Sequence, residues 1–520
     1  MFPPSCVLAP NDLAVTLNCP IYDGTIKGRF RRFVELLSQS NERTHALADL
    51  ARRATRTDRI VEQLSARLQA GVWRMGERLP SVRQAAAENG VSKNTMAEAY
   101  DRLVARGLLE ARIGSGYYVA QAARIAPPAV LSHVSEAVDL VSLLREQLDQ
   151  HYEVRPGDGR LPPAWMEGSE LRRSFLPQRG ESADAVEFGY GSSRGYAPLR
   201  ERIRVMLLER SIDVQSEGVL LTHGANHALD LIIRQYVAPG DVVFVDEPGY
   251  YPLFAKLALA KAQIVGIPRR PNGPDLDALT NALAIHRPTL FFTQSQAHNP
   301  TGGMLTPAVA FGLLQAAARS GFRIVEDDVF ADILPNTATR LAALDGLQRV
   351  LYVGAFSKTL SASLRSGYVA ADPETIAALC DLKMVTTVAT SDFVERFVFG
   401  LIQGGHYLRH LRRLRSRLEE ARRQSVAALE GLGLTVEGRA ETGFYLWAEL
   451  PPHIDELELC RAAAARSIFL APGDVFHPTR SADRRPALRI NVAYGADPRF
   501  DDFLRTALSA GPPIERSLLP

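Results

Sequence analysis

Four short apolar runs recur through the middle of this chain: Val242-Val243-Phe244-Val245, Leu290-Phe291-Phe292, Arg323-Ile324-Val325 and Val350-Leu351-Tyr352-Val353. Helical segments separate them. Runs this short and apolar predict strands buried on both faces, and strands that alternate with helices predict a mostly parallel sheet wrapped by helices. From about Tyr407 the pattern changes to a long charged helix, a meander and mixed elements, which predicts a smaller C-terminal α+β subdomain. At 520 residues the chain exceeds a single core, so two or three domains are expected.

Sixty basic residues against 58 acidic ones leave a formal charge of only +2, so any nucleic-acid partner has to be met by a local basic patch. Cys6, Cys19, Cys380 and Cys460 show no paired metal-ligand spacing. No metal is expected, and a reduced, cytoplasmic setting fits best. No apolar stretch is long enough to span a bilayer, and Met1 to Pro10 lack the charged and apolar regions of a signal peptide.

Residues 1–54 have no clear periodicity. From Lys27 to Arg56 eight basic residues face three acids, which reads as a solvated, partly disordered basic leader, with an arm for DNA phosphates as the alternative. The pattern sharpens over residues 55–120. Ile60, Leu64 and Leu68 fall at helical spacing, with Gly71 as the stop. Ser81 caps a second helix through Ala87, Asn89-Gly90 turns the chain, and Ser92 caps a third helix to about Arg106. Gly107-Leu108-Leu109 and Tyr117-Tyr118-Val119 are the strand candidates of a hairpin. Three helices and a hairpin make a winged helix. In a helix-turn-helix the second helix of the pair enters the major groove of double-stranded DNA by its N-terminal residues, here Ser92, Lys93, Asn94 and Thr95. Arg83 would clamp a backbone phosphate, and Gly114 would let the wing approach the minor groove. As residue types alone, the same pattern also serves protein-binding modules. Residues 121–155 read as a linker with a helix over Val138 to His151, and 156–510 as the α/β domain.

Within that domain, Lys358 follows the run 350–353 through a serine-containing turn, Gly354-Ala355-Phe356-Ser357, which places its amine at a carboxyl edge of the sheet. Asp327 ends the run 323–325, while Asp328 faces the other way and is structural. The turn His223-Gly224-Ala225-Asn226 enters a helix. Pyridoxal phosphate needs this set: a lysine for its aldehyde, an acid to keep the pyridine nitrogen protonated, and phosphate donors at a helix N-terminus. Lys358 would form the Schiff base. Asp327 would hold the ring nitrogen and Asn299 the 3′-oxygen. Ser357, Arg365 and the N–H groups of Ala225 and Asn226 would hold the phosphate, and Tyr250 would cover the ring.

The run Leu79 to Val119 resembles the GntR family of winged-helix repressors, on Leu-Pro-Ser-x-Arg, Val-Ser-x-Asn-Thr, Ala-Tyr-x-Arg-Leu and Gly-Ser-Gly-Tyr-Tyr-Val in that order. Residues 160–510 resemble the class I/II aminotransferases of PLP fold type I. That resemblance rests on Tyr190-Gly191, Gly195-Tyr196, Leu199-Arg200, Gly224-Ala225-Asn226, the Pro248 turn, Asn299-Pro300-Thr301-Gly302, Glu326-Asp327-Asp328 and Ser357-Lys358. It implies that Arg489 takes a substrate carboxylate and that Tyr190 reaches the phosphate of a neighbouring subunit.

Joined, the two segments resemble the MocR subfamily of bacterial transcription regulators. The resemblance implies a head-to-tail homodimer on paired DNA half-sites, and an amine or amino-acid effector that displaces Lys358 to form an external aldimine. Two departures stand out: Phe330 replaces the usual tyrosine three residues after Asp327, and Ala355 replaces a serine or threonine before the lysine. Both put efficient transamination in doubt. A working aminotransferase with an accessory winged helix, and a scaffold whose site is vestigial, are the rival readings.

Overall fold

The computed structural model describes residues 56–120 apart from 70–71, 74–75 and 113, then 145, 148 and 151–166, and residues 190–509 apart from 336, 439–442 and 480–483. The expected leader and most of the expected linker helix lie outside the described residues. The chain forms two compact units that divide after Pro128.

In the first unit, α1 (Arg56–Gln69), α2 (Val82–Glu88) and α3 (Lys93–Ala105) precede β1 (Leu109–Arg112) and β2 (Gly116–Val119), an antiparallel hairpin. Ser81 Oγ accepts the Gln84 N–H at 3.3 Å and Ser92 Oγ the Thr95 N–H at 3.1 Å, so both serines are N-caps. Ile60, Val61, Leu64, Met96, Tyr100 and Leu103 are the heart of the core. The first strand begins later than the expected 107–109. Gly107 has φ +71°, and the Leu108 N–H returns to the Leu103 carbonyl at 3.0 Å. These residues close α3 in a left-handed C-cap, so the strand starts only at Leu109.

The second unit is built on an eight-stranded sheet in the order β3-β10-β9-β8-β7-β4-β5-β6. Its strands are β3 (Val219–Thr222), β4 (Val242–Glu247), β5 (Gln263–Arg270), β6 (Gly273–Pro274), β7 (Pro288–Thr293), β8 (Arg323–Asp327), β9 (Val350–Ala355) and β10 (Gly367–Ala370). The run β9-β8-β7-β4-β5 is parallel, and β10 is antiparallel to both β9 and β3. Hence β3 runs with the parallel set, and its carboxyl end opens on the same edge. There it enters α4 (Ala225–Tyr236). The long charged helix is α5 (His406–Gly431), followed by a three-stranded antiparallel sheet of β11 (Thr435–Glu437), β12 (Tyr445–Glu449) and β13 (Ala487–Asn491).

Residues 152–155 differ from their expected place in the linker. Val154 is buried, bridges to Ile468, and accepts the Phe469 N–H at 2.8 Å. Arg155 is buried against Asp158, with Nε 2.9 Å from Oδ2. A buried β-branched side chain and a buried ion pair belong to a core, so this stretch is part of the second unit.

Candidate functional site

The carboxyl ends of β3, β4, β7, β8 and β9 meet along one edge, where an open α/β sheet places ligands. Each strand delivers a group there. From β9, Ser357 and Lys358 follow within three residues of Ala355. From β8 comes Asp327, buried, with Oδ2 accepting Gln294 Nε2 at 2.9 Å. Burial raises its carboxyl to about 7, against the opposing pull of the Gln294 hydrogen bond. From β7 come Gln294 and Asn299; the Asn299 N–H reaches Gln294 Oε1 at 2.8 Å. From β4 comes Tyr250, which shares a small cavity with Asp327 and Gln294 and whose hydroxyl is pushed up by burial. Asp328 turns away, ion-paired with Arg340 at 2.7 Å and bonded to the Tyr352 hydroxyl at 2.9 Å.

Beyond β3, Gly224 has φ +77° and begins α4 without a side-chain cap. A Cβ there would lie 3.1 Å from Arg365 Nη2 and 3.5 Å from Ser357 Oγ, so these two groups converge on the helix N-terminus. Arg365 Nη2 also donates to the His223 carbonyl at 3.1 Å. Ser357 Oγ, Asp327 Oδ1, Asn226 Oδ1 and Arg489 Nε are buried with no hydrogen-bond partner among the described residues. Buried polar atoms are almost always paired, so four orphans along one edge mark a place for a polar guest. A hydroxyl and a guanidinium at a helix N-terminus suit a phosphate, and a carboxylate raised by burial suits a ring nitrogen that keeps its proton. The donor set fits pyridoxal phosphate.

Arg489, on β13, is 1% exposed; Nη1 donates to Asn299 Oδ1 at 3.2 Å and Nη2 to the Gly157 carbonyl at 2.6 Å. Its guanidinium lies 4.6 Å from the Tyr445 ring centre and 5.0 Å from that of Phe476. Phe330 is buried edge-on against Phe444 at 4.8 Å. Tyr190 stands apart from these groups, 86% exposed.

The sequence reading missed a strap. Residues 157–160 cross the site, with the Gly159 carbonyl accepting Lys358 Nζ at 2.5 Å and the Tyr445 hydroxyl at 2.9 Å. Asn491 Nδ2 holds the Asp158 and Arg160 carbonyls at 2.9 and 2.7 Å. The signal was present in Pro156-Gly157-Asp158-Gly159, a turn composition that reads equally well as the end of a linker. Gln294 was missed too; its place directly after a buried parallel strand would have flagged it.

In the winged helix, Arg83, Lys93, Asn94 and Gly114 are exposed. Ser92 and Thr95 are tied to each other, hydroxyl to hydroxyl at 2.8 Å, so they form the cap that aims α3.

Residues 157–506 match the family described as aminotransferase class I and II, and residues 56–119 the bacterial regulatory proteins of the gntR family. The HTH-type transcriptional regulator YdcR of Escherichia coli K12, named as uncharacterized, is 31% identical over 84% of this chain and 94% of its own length. The chain belongs to the MocR subfamily of gntR-type transcription regulators. The probable rhizopine catabolism regulatory protein MocR of Rhizobium meliloti is 28% identical to this MocR-type chain, over 79% of it and 85% of the relative. Among solved structures, the α-aminoadipate aminotransferase LysN of Thermus thermophilus, complexed with N-(5′-phosphopyridoxyl)-L-leucine, covers 72% of the MocR-type chain with 96% of its own, at 27% identity and a TM-score of 0.64. A transcription regulator thus carries an aminotransferase fold of type I. No helix among the described residues is long and apolar enough to cross a membrane.

Proposed function

We propose that this regulator binds pyridoxal phosphate at Lys358 and answers a small amine or amino-acid effector there by repositioning its DNA-binding domains. The observation that carries the reading is the convergence of Lys358, Asp327 and the orphaned Ser357 Oγ at the edge where α4 begins. Bound there, pyridoxal phosphate supplies an aldehyde that bonds reversibly to primary amines and a cationic ring that draws electron density from them.

Lys358 provides the resident amine. Asp327, held by Gln294, would keep the proton on the ring nitrogen. Asn299 would hold the ring 3′-oxygen and Tyr250 would cover the ring. Ser357, Arg365 and the N–H groups of Ala225 and Asn226 would hold the phosphate. Arg489 takes an effector carboxylate through its planar fork. Tyr190, exposed within one chain, would reach the phosphate site of the partner in a head-to-tail homodimer.

In such a dimer two winged helices meet paired half-sites on double-stranded DNA. Arg83 contacts phosphate, Lys93 and Asn94 reach base edges from the α3 terminus that Ser92 and Thr95 cap, and Gly114 lets the wing approach the minor groove. The DNA-binding domain is taken as 55–120 and the cofactor domain as reaching residue 510, in a cytoplasmic protein. An effector shifts the DNA-bound arrangement only if it binds one placement of these domains better than another.

An active aminotransferase with an accessory DNA-binding domain is the second reading. The donors that converge on Lys358 favour it; Phe330, with no hydroxyl to offer the 3′-oxygen, and Ala355, in place of a serine or threonine, weigh against it. Absorbance and turnover separate the two. A visible absorbance band that Lys358→Ala abolishes supports cofactor binding. Amino transfer sustained at about 1 s⁻¹ or faster would support the enzyme and sink the sensor as the primary role.

A further inference from the structure

We infer that Tyr407 is a positioning residue for Lys358: its hydroxyl fixes the spacing between the turn that carries the lysine amine and the segment that carries Asp327. This rests on the proposed function and deepens it.

Thr359, directly after Lys358, turns its hydroxyl into the core, 2.5 Å from the Tyr407 hydroxyl. Tyr407 is the second residue of α5, and its hydroxyl also bonds to Asp332 Oδ2. Asp332 lies in the single turn Ala331–Ile333, shortly after Asp327. Its other oxygen, Oδ1, is ion-paired with Arg210 Nη2, and its backbone carbonyl accepts Arg415 Nη2 of α5 at 2.6 Å. Thr359, Tyr407, Asp332 and Arg210 are all buried. One buried polar chain therefore joins the Lys358 turn, α5 and the segment beyond Asp327.

The protons in this chain have a single assignment. Asp332, paired with the Arg210 cation, is a carboxylate and only accepts. Tyr407 has one hydroxyl proton, which goes to Asp332. Burial and the Asp332 charge push that hydroxyl well above its usual range, so the proton stays. The Tyr407 oxygen can then only accept from Thr359, which is the donor. Neither hydroxyl can be lost without breaking the link.

Packing does not require these hydroxyls. The Tyr407 ring meets Phe356 edge-on, with centroids 5.9 Å apart, and phenylalanine would do the same. Apolar side chains of like shape often replace buried polar groups at no cost in stability. What the hydroxyls add is position. The turn is held within itself by the Leu360 N–H on the Phe356 carbonyl at 2.8 Å, and at its base by the Phe356 N–H on the Ser366 carbonyl at 3.0 Å. Thr359 supplies its tie to the segment of Asp327. A ring held by Lys358 at one end and Asp327 at the other is sensitive to that spacing, since an error of about 1 Å is costly for a reacting group.

The test is fluorescence titration of the full-length protein, freed of cofactor, with pyridoxal 5′-phosphate and with pyridoxine 5′-phosphate. The second ligand keeps the ring and phosphate and has an alcohol in place of the aldehyde, so it makes no bond to the lysine. Tyr407→Phe and Thr359→Val should each bind pyridoxal phosphate about tenfold more weakly, the worth of one buried hydrogen bond. Their affinity for pyridoxine phosphate should be unchanged. Thr359→Ser, which keeps the hydroxyl, should bind both ligands as the unmodified protein does. The double variant should be no weaker than Tyr407→Phe alone, because the two side chains share one bond. Equal losses for both ligands mark a merely structural hydroxyl and overturn the inference, as does unchanged binding of pyridoxal phosphate. Thr359→Val leaves the bond between Tyr407 and Asp332 in place, so it decides the matter even if Tyr407→Phe does not fold. If the unmodified protein does not favour pyridoxal phosphate over pyridoxine phosphate, the cofactor reading itself fails and the inference with it.

Discussion

Arg489 Nη1 donates to Asn299 Oδ1 at 3.2 Å, joining the small C-terminal sheet to the loop that follows β7 in the large one. The candidate carboxylate ligand and the candidate ligand of the ring 3′-oxygen are therefore one hydrogen-bonded unit. A carboxylate taken by Arg489, as proposed, would meet that bond, and its occupancy would then be felt at the group proposed to sit beside the ring. The Gly157 carbonyl on Nη2 extends the connection to the strap.

Replacing Arg489 by lysine keeps the charge and loses the fork. Arg489→Lys should weaken amino-acid binding by about tenfold to a hundredfold, the worth of a charged hydrogen bond at roughly 1.5–3 kcal/mol. Amines without a carboxylate should be unaffected. Parallel titrations of the cofactor absorbance with an amino acid and with its decarboxylated amine measure the split.

Asp327 gives a pH dependence with a definite sign. Its carboxyl is raised to about 7 by burial, while in the unfolded chain it ionises near ~3.9. Between these values the native state binds the extra proton. Its contribution to stability is complete below the unfolded value and is lost as pH rises through about 7. The cofactor-free protein should therefore lose melting temperature more steeply between about pH 5 and pH 8 than Asp327→Asn does. Saturating pyridoxal phosphate, by placing a cation against the carboxylate, should flatten or reverse the difference. Scanning calorimetry at stepped pH decides it.

Gly224 has φ +77° and ψ 171°, a region closed to other residues, and its missing Cβ leaves room for Arg365 and Ser357. Gly224→Ala costs about 1–3 kcal/mol of backbone strain and pushes both donors from the helix terminus. Pyridoxal phosphate affinity, read by fluorescence quenching, should fall roughly tenfold or more, with DNA binding by the first unit retained.

The double variant Arg83→Ala and Lys93→Ala should abolish specific footprinting and leave the cofactor absorbance intact. Each lost phosphate contact lowers the slope of log affinity against log salt by about 1. Anisotropy titrations over a salt series show this. Unchanged specific binding would move the reading head away from α3.

Much of the site was legible because its parts are local. Lys358, Asp327 and Ala225-Asn226 each sit at a strand end or helix start, and such ends are written in consecutive residues. Ser81 and Ser92 announced their helices for the same reason. The two misreadings have different causes. Leu109 begins β1 because Leu108 folds back on Leu103 in the cap of α3, a local effect of Gly107, whereas Val154 and Arg155 are buried because Ile468 and Phe469, more than 300 residues away, pair with this stretch.

By itself, then, the sequence determined the alternating α/β pattern, the winged helix and which residues stand at the strand ends and helix start along the sheet edge, since periodicity, caps and turn chemistry are short-range. Only the tertiary structure decided that Arg489 bonds to Asn299, 190 residues away, and that residues 157–160 lie across Lys358 as a strap rather than trailing off a linker. Those contacts arise from packing the small sheet against the edge of the large one. Nothing in a local window encodes which distant carbonyl will meet a given side chain.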